Sequence, residues 1–231
     1  MTTVKLDSHI LERGARTITE QLNIQLPTVK TLQALVLRSS AQLEPIHYNP
    51  PIFLLQSSSI APSYTDAAPQ EVTDYLEKLV RAAQQAAESH YYGSFVAGQI
   101  SESDEFADIG VWLGEGKYQR NHEKEILDKL GLIAWADAEV SVGVQDLKRT
   151  LSVIVMASDV FVQIDRMDGL YDEKLKVDLE GSEASAIGKL LDSLEDCHRF
   201  FARRQDSYFA CFLVGRSKAG WYGLASIGVA S

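Results

Sequence analysis

The stretch "SYFACFLVGRSKAGWYGLASIGVAS", residues 207–231, decides the fold. Two runs rich in aromatic and branched apolar residues flank a turn that holds Ser217, Lys218 and Gly220, which is the pattern of two strands meeting at a tight connection. A C-terminal strand through 221–229 follows from it. Upstream, "ADIGVWLG" (107–114) carries a further strand signal, and "RNHEKEILDKLG" a short helix stopped by Gly131. "PQEVTDYLEKLVRAAQQAAESHYY" places Val72, Leu76, Leu79, Val80 and Ala83 on one side of a strong helix. "SEASAIGKLLDSLEDCHRFFARR" predicts another helix over 182–201, capped by Ser182 and ending among Arg199, Arg203 and Arg204. "DLKRTLSVIVMASDVFVQI" is apolar throughout, and its period does not separate helix from strand.

Helices and strands that alternate irregularly imply an α/β (α+β) fold, a layered α-β-α sandwich on a mixed sheet of about four to six strands. In front of it, "LDSHILERGARTITEQLN" and "PTVKTLQALVLRSSAQL" predict two helices whose apolar stripes must be covered by the main domain or by a second copy. Five of the six prolines fall between Glu44 and Pro69, among serine-rich polar runs. That composition resists regular structure and reads as a linker or strap. The expected organisation is a helical extension at 1–43, a Pro/Ser-rich linker at 44–70 and an α/β domain at 71–231.

Charge narrows the partners. The formal net charge is −10, with residues 1–70 neutral and 17 basic against 27 acidic groups in 71–231. A domain so biased repels phosphate backbones and attracts basic proteins, so direct nucleic-acid binding is disfavoured. No window of about 18 apolar residues occurs, and "MTTVKLDSHILERGAR" lacks a signal peptide's apolar centre, so the expectation is a cytoplasmic protein without membrane attachment. Cys197 and Cys211 then read as buried thiols, not a bridge.

The chemistry of an enzyme has no sequence support. There is no G-x-S-x-G, Cys197 and His198 are chain neighbours whose side chains diverge, and the histidines at 9, 47, 90, 122 and 198 never approach ligand spacing. "GEGKYQR" lacks the Walker spacing. We expect no catalytic residue, no metal and no cofactor. What stands out is "QISESDEFADIGVWLGEG" (99–116), which crowds Glu102, Asp104, Glu105 and Asp108 just before a strand. The calcium-loop pattern is missing both there and in "DRMDGLYDE" (165–173). A solvated turn, or a negative surface for a partner, remains.

From residue 71 onward the chain resembles the nuclease A inhibitor family, small acidic α/β proteins that block a non-specific, metal-dependent nuclease. "ISESDEF" (100–106) is similar to that family's serine-glutamate-serine-acid motif, "ADIGVWLGEG" to the strand after it, "GKLLDSLEDCHRFF" to its long late helix, and "CFLVGRSKAGWYGLASIGVAS" to its closing strands. The resemblance implies that Glu102 reaches a nuclease's catalytic centre and that Ser231, where the family has a threonine, offers its hydroxyl and chain-end carboxylate to the metal's hydration shell. Asp104, Glu105 and Tyr171 would complete the partner-binding set. Two departures stand in the sequence: Ala230 replaces a family glutamate, and Leu170–Tyr171 replaces a tryptophan-tyrosine pair. The alternative expectation is a protein-protein interaction module that keeps the fold without inhibiting a nuclease.

Overall fold

The computed structural model describes residues 11, 14–36, 41–57, 68–89, 93–98, 104–132, 135, 139–142, 183–203 and 207–229. Its helices are α1 (Ala15–Leu22), α2 (Leu26–Val36), α3 (Gln70–Ser89), α4 (Glu123–Lys129) and α5 (Glu183–Leu191). Its strands are β1 (Ala41–His47), β2 (Ile52–Ser57), β3 (Ile109–Gly114), β4 (Glu139–Val142), β5 (Glu195–Arg203), β6 (Tyr208–Ser217) and β7 (Gly220–Val229). All seven strands join one sheet in the order β1-β2-β3-β7-β6-β5-β4. The sheet is mixed because β2 and β3 run parallel, with α3 as the crossover between them, while the other neighbours are antiparallel.

The C-terminal hairpin forms as its pattern predicts, with Ser217 opposite Gly220 and the ladder running to Tyr208 opposite Val229. Gly220 has φ +116, and a Cβ there would stand 2.8 Å from the Gly114 carbonyl oxygen, so the turn requires glycine twice over. The strand alternation sorts side chains to two faces. Phe53, Val111, Trp221, Phe212 and Phe200 share one core cluster with Ile18 of α1, Leu32 of α2 and Ile126 of α4. Ile52, Trp112, Leu224, Leu213 and Cys211 share the other with Leu76 and Val80 of α3 and Ile187 of α5. Where α3 crosses β3, a Cβ on Gly110 would come within 2.9 Å of Val80, so the missing side chain sets how closely helix and strand approach.

Two sequence expectations are corrected. Of the strap expected at 44–70, residues 44–57 are not irregular: with 41–43 they form β1, the turn and β2, and Leu43, Phe53 and Leu55 enter the same core as the C-terminal strands. The prolines fit because β1 is an edge strand, where Pro45 interrupts no central ladder, and because Pro50 and Pro51 sit in the turn. The helix expected over 182–201 stops at Leu191. Ser193 and Tyr75 hydroxyls both donate to the Leu190 carbonyl at 2.6 Å, satisfying a helix-end acceptor, and β5 begins at Glu195. From there Phe200 and Ala202 face one cluster while Cys197 and Phe201 face the other, a period of two that a helical reading of the same apolar residues obscured. Cys197 and His198 diverge as strand neighbours, not as helix neighbours. The apolar segment 147–165 lies outside the described residues. No described helix is long and apolar enough to cross a membrane.

Candidate functional site

The chain entering β3 is clamped from two sides. Thr31 of α2 accepts the Ala107 N–H at 3.0 Å and donates its hydroxyl to the Ala107 carbonyl at 2.8 Å. Ser226 of β7 donates to the same carbonyl at 3.1 Å. Ile109 then pairs with Ala225, so the stretch before β3 runs beside the end of β7. Phe106 meets the Tyr208 ring edge-on at 6.0 Å, and Tyr208 pairs with Val229. The chain entering β3 and the end of β7 therefore lie side by side at one end of the sheet, between its edge strands β1 and β4.

The carboxylates of that stretch do different work. Asp108 is 1 % exposed. It accepts the Ser94 hydroxyl at 2.6 Å, the Phe95 N–H at 2.6 Å and the Val96 N–H at 3.1 Å. Ser94 in turn accepts the Ala97 N–H at 2.9 Å, so one carboxylate and one hydroxyl organise the whole 94–97 turn. Burial pushes Asp108 up to about 6, while the three hydrogen bonds and the nearby Arg199 guanidinium pull it down. Arg199 is itself buried, donates to the Ala97 carbonyl at 3.3 Å and lies 4.1 Å over the Phe201 ring.

Asp104 and Glu105 are exposed. Asp104 accepts the Gly93 N–H at 3.2 Å, and Glu105 sits 3.0 Å from the Lys30 ammonium. Residues 104–108 have no helical turn, so Asp104 and Asp108 do not share a helix face. Beside them Tyr208 is 40 % exposed, the large hydrophobic side chain left open to solvent among the described residues. Glu102, Tyr171 and Ser231 lie outside the described residues. The structure thus brings Phe106, next in the chain after Asp104 and Glu105, against Tyr208, a residue that the sequence gives away only as an aromatic at the first position of a strand.

A second polar cluster sits near the other end of β3. His198 of β5 is 0 % exposed, with its Nδ1 3.0 Å from the Asp196 carbonyl oxygen and its Nε2 3.6 Å from Glu123 Oε1. Phe200 stacks on the imidazole and Trp221 meets it edge-on. Burial pushes the His198 imidazole below its ordinary value; the Asp196 carbonyl and Glu123 act against that shift, and Arg120 adds to it. Sequence spacing could not reveal this pair, because 75 residues separate its members. Among the described residues no group of three or more His, Cys, Asp or Glu side chains gathers in a way that could hold a metal ion. Comparison with known proteins finds no family model that matches the chain, and no curated protein that matches it.

Proposed function

We propose that the chain is an acidic inhibitor-like protein, a layered α-β-α sandwich that binds a basic protein partner and occludes the active site of a non-specific, metal-dependent nuclease. The observation that carries this reading is the end of the sheet that the two segments share. Asp104 and Val229 belong to two chain segments fastened together through Ala107, Phe106 and Tyr208. Glu102 and Ser231, which the family resemblance puts at the nuclease, are each two residues further along. A carboxylate and a hydroxyl presented together can imitate the oxygens of a phosphate diester. The acidic excess of 71–231 supplies the long-range attraction to a site built for DNA. Tyr208 offers the aromatic anchor that the sequence lacks at Leu170.

The test is titration of the purified full chain against a metal-dependent, non-specific nuclease, with DNA cleavage as readout at several salt concentrations. Glu102→Gln is expected to weaken the complex by about 2–5 kcal/mol if the charge is paired and desolvated. Folding is expected to change by less than about 0.5 kcal/mol. Inhibition that is indifferent to Glu102→Gln and Ser231→Ala removes the prong.

A second reading, an interaction module without nuclease inhibition, draws on a different observation. Asp104 and Glu105 already have intramolecular partners in Gly93 and Lys30. Their charge then serves the surface more than a buried contact. Binding of a basic protein with no effect on any nuclease is the result that selects this reading.

A further inference from the structure

The acidic stretch is held by more than Asp108. Val96 and Ala97 are buried in the cluster that also takes Leu213 and Leu224. The 94–97 turn that carries them is fixed from two directions. Asp108, one residue before β3, accepts the Ser94 hydroxyl and the Phe95 and Val96 N–H groups, while Arg199 of β5 donates to the Ala97 carbonyl. β7 and β6 lie between β3 and β5, so the turn is fastened to strands three places apart in the sheet. Chain anchored over that span, with its apolar side chains packed in the core, has little freedom to shift.

Gly93 leads into this turn and is where the acidic stretch rests. Its N–H donates to Asp104 Oδ1 at 3.2 Å. A Cβ on Gly93 would stand 2.7 Å from both the Asp104 Cα and the Phe106 carbonyl oxygen, so the absent side chain lets residues 104–106 pack directly on the turn. From the other layer α2 holds the same stretch: Lys30 pairs with Glu105 at 3.0 Å, and Thr31 bonds both the N–H and the carbonyl of Ala107. We propose that this two-sided seat presents the exposed carboxylates of Asp104 and Glu105 to a basic partner already ordered, with Gly93 as the residue that positions them. The proposal rests on the reading that this end of the sheet binds such a partner.

Order of this kind acts on one part of binding. Long-range attraction depends on the number and sign of the charges and sets the association rate. Side chains that must be ordered on contact weaken the finished complex, which shows as faster release. Gly93→Ala separates the two effects. It sets one methyl group against backbone, so residues 104–106 have to move off the turn, yet no charge is gained or lost. Release is expected to quicken about tenfold, the worth of ordering about two polar side chains, while the association rate and its salt dependence stay as they are. Gly14→Ala is the control, because the nearest atom that a Cβ meets there is Thr17 Oγ1 at 3.9 Å.

The experiment uses the full chain and a non-specific, metal-dependent nuclease as the probe. Association and release are followed by surface plasmon resonance at several salt concentrations, at a temperature where thermal unfolding shows each variant to be folded. Faster release in Gly93→Ala but not in Gly14→Ala, with association kept, supports the seat. Release as slow as in the natural chain overturns it, and so does a loss carried mainly by the association rate. A natural chain that does not bind the nuclease ends the reading itself and the seat with it; that result is read before any substitution, so the two failures are distinct. Should Gly93→Ala not fold, Ser94→Ala takes its place, since it removes the hydroxyl that links Asp108 to the Ala97 N–H and adds no bulk. The same faster release is expected there, and unchanged release overturns the proposal.

Discussion

Asp108 and Glu123 are the two buried carboxylates among the described residues, and they flank β3 at its two ends. Their burial is nearly equal, at 1 % and 4 %. Their surroundings are not. Asp108 accepts three hydrogen bonds and lies near a guanidinium, whereas Glu123 accepts the Asn121 N–H and faces an imidazole that offers no donor when neutral. A buried charge is tolerable in proportion to the donors aimed at it. The first carboxylate therefore fastens the 94–97 turn, and the second is buried with fewer donors aimed at it.

The largest effect expected from this contrast is at Asp108. Asp108→Ala strands the Ser94 hydroxyl, two N–H groups and the Arg199 charge in the core, at a cost of about 3–5 kcal/mol in urea unfolding. Asp108→Asn keeps one acceptor oxygen and is expected to cost about half as much. The pH dependence has a definite sign. The folded value of about 6 lies above the ordinary 3.8, so the stabilisation by the neutral acid is complete below about 3.8 and is lost as the pH rises through about 6. The advantage of the natural chain over Asp108→Asn should thus shrink between pH 4 and pH 7. An advantage that grows over that interval would mean that the hydrogen bonds outweigh desolvation.

The clamp on Ala107 sharpens the comparison at smaller magnitude. Thr31→Val removes the acceptor of the buried Ala107 N–H, which costs about 1–3 kcal/mol. Ser226→Ala removes one of two donors to the Ala107 carbonyl, which Thr31 still satisfies, so about 0.5–1.5 kcal/mol is expected. Equal losses by thermal or urea unfolding would show that the two hydroxyls act only through packing.

The sequence made the C-terminal hairpin and α3 legible because each repeats one period over a long run. It concealed β1 and β5 for separate reasons. Pro45 looks like a breaker unless β1 is known to be an edge strand, and edge position is a property of the assembled sheet. In "EDCHRFFAR" an alternating face and a helical face recruit the same residues, so the boundary at Leu191 depends on the hydroxyls of Tyr75 and Ser193, one of them 115 residues away. The acidic crowding of 102–108 was visible, but its division into a buried fastener and exposed neighbours was not. That division is made by the 94–97 turn and by Arg199, which arrive from distant parts of the chain. The meeting of these segments at one end of the sheet likewise follows from the register of β3 against β7, not from any motif.

The smallest effect belongs to the exposed end of the same acidic stretch. Lys30 and Glu105 pair at 3.0 Å with side chains 32 % and 60 % exposed, so water competes for both ions. Lys30→Met is expected to change stability by less than about 1 kcal/mol, and by still less as salt shortens the screening length to about 3 Å near 1 M. The same substitution should act in the opposite direction on binding. It removes the positive charge beside Glu105 and makes this end of the sheet more negative, so association with a basic partner should quicken at low salt, with the gain fading as salt is added. A stability loss as large as that of Asp108→Ala would show that Glu105 is a fastener as well. A slower association would show that the pair presents Glu105 to the partner instead of occupying it. Either result moves the line between the fixed and the available charges of this stretch, which now falls between Glu105 and Asp108.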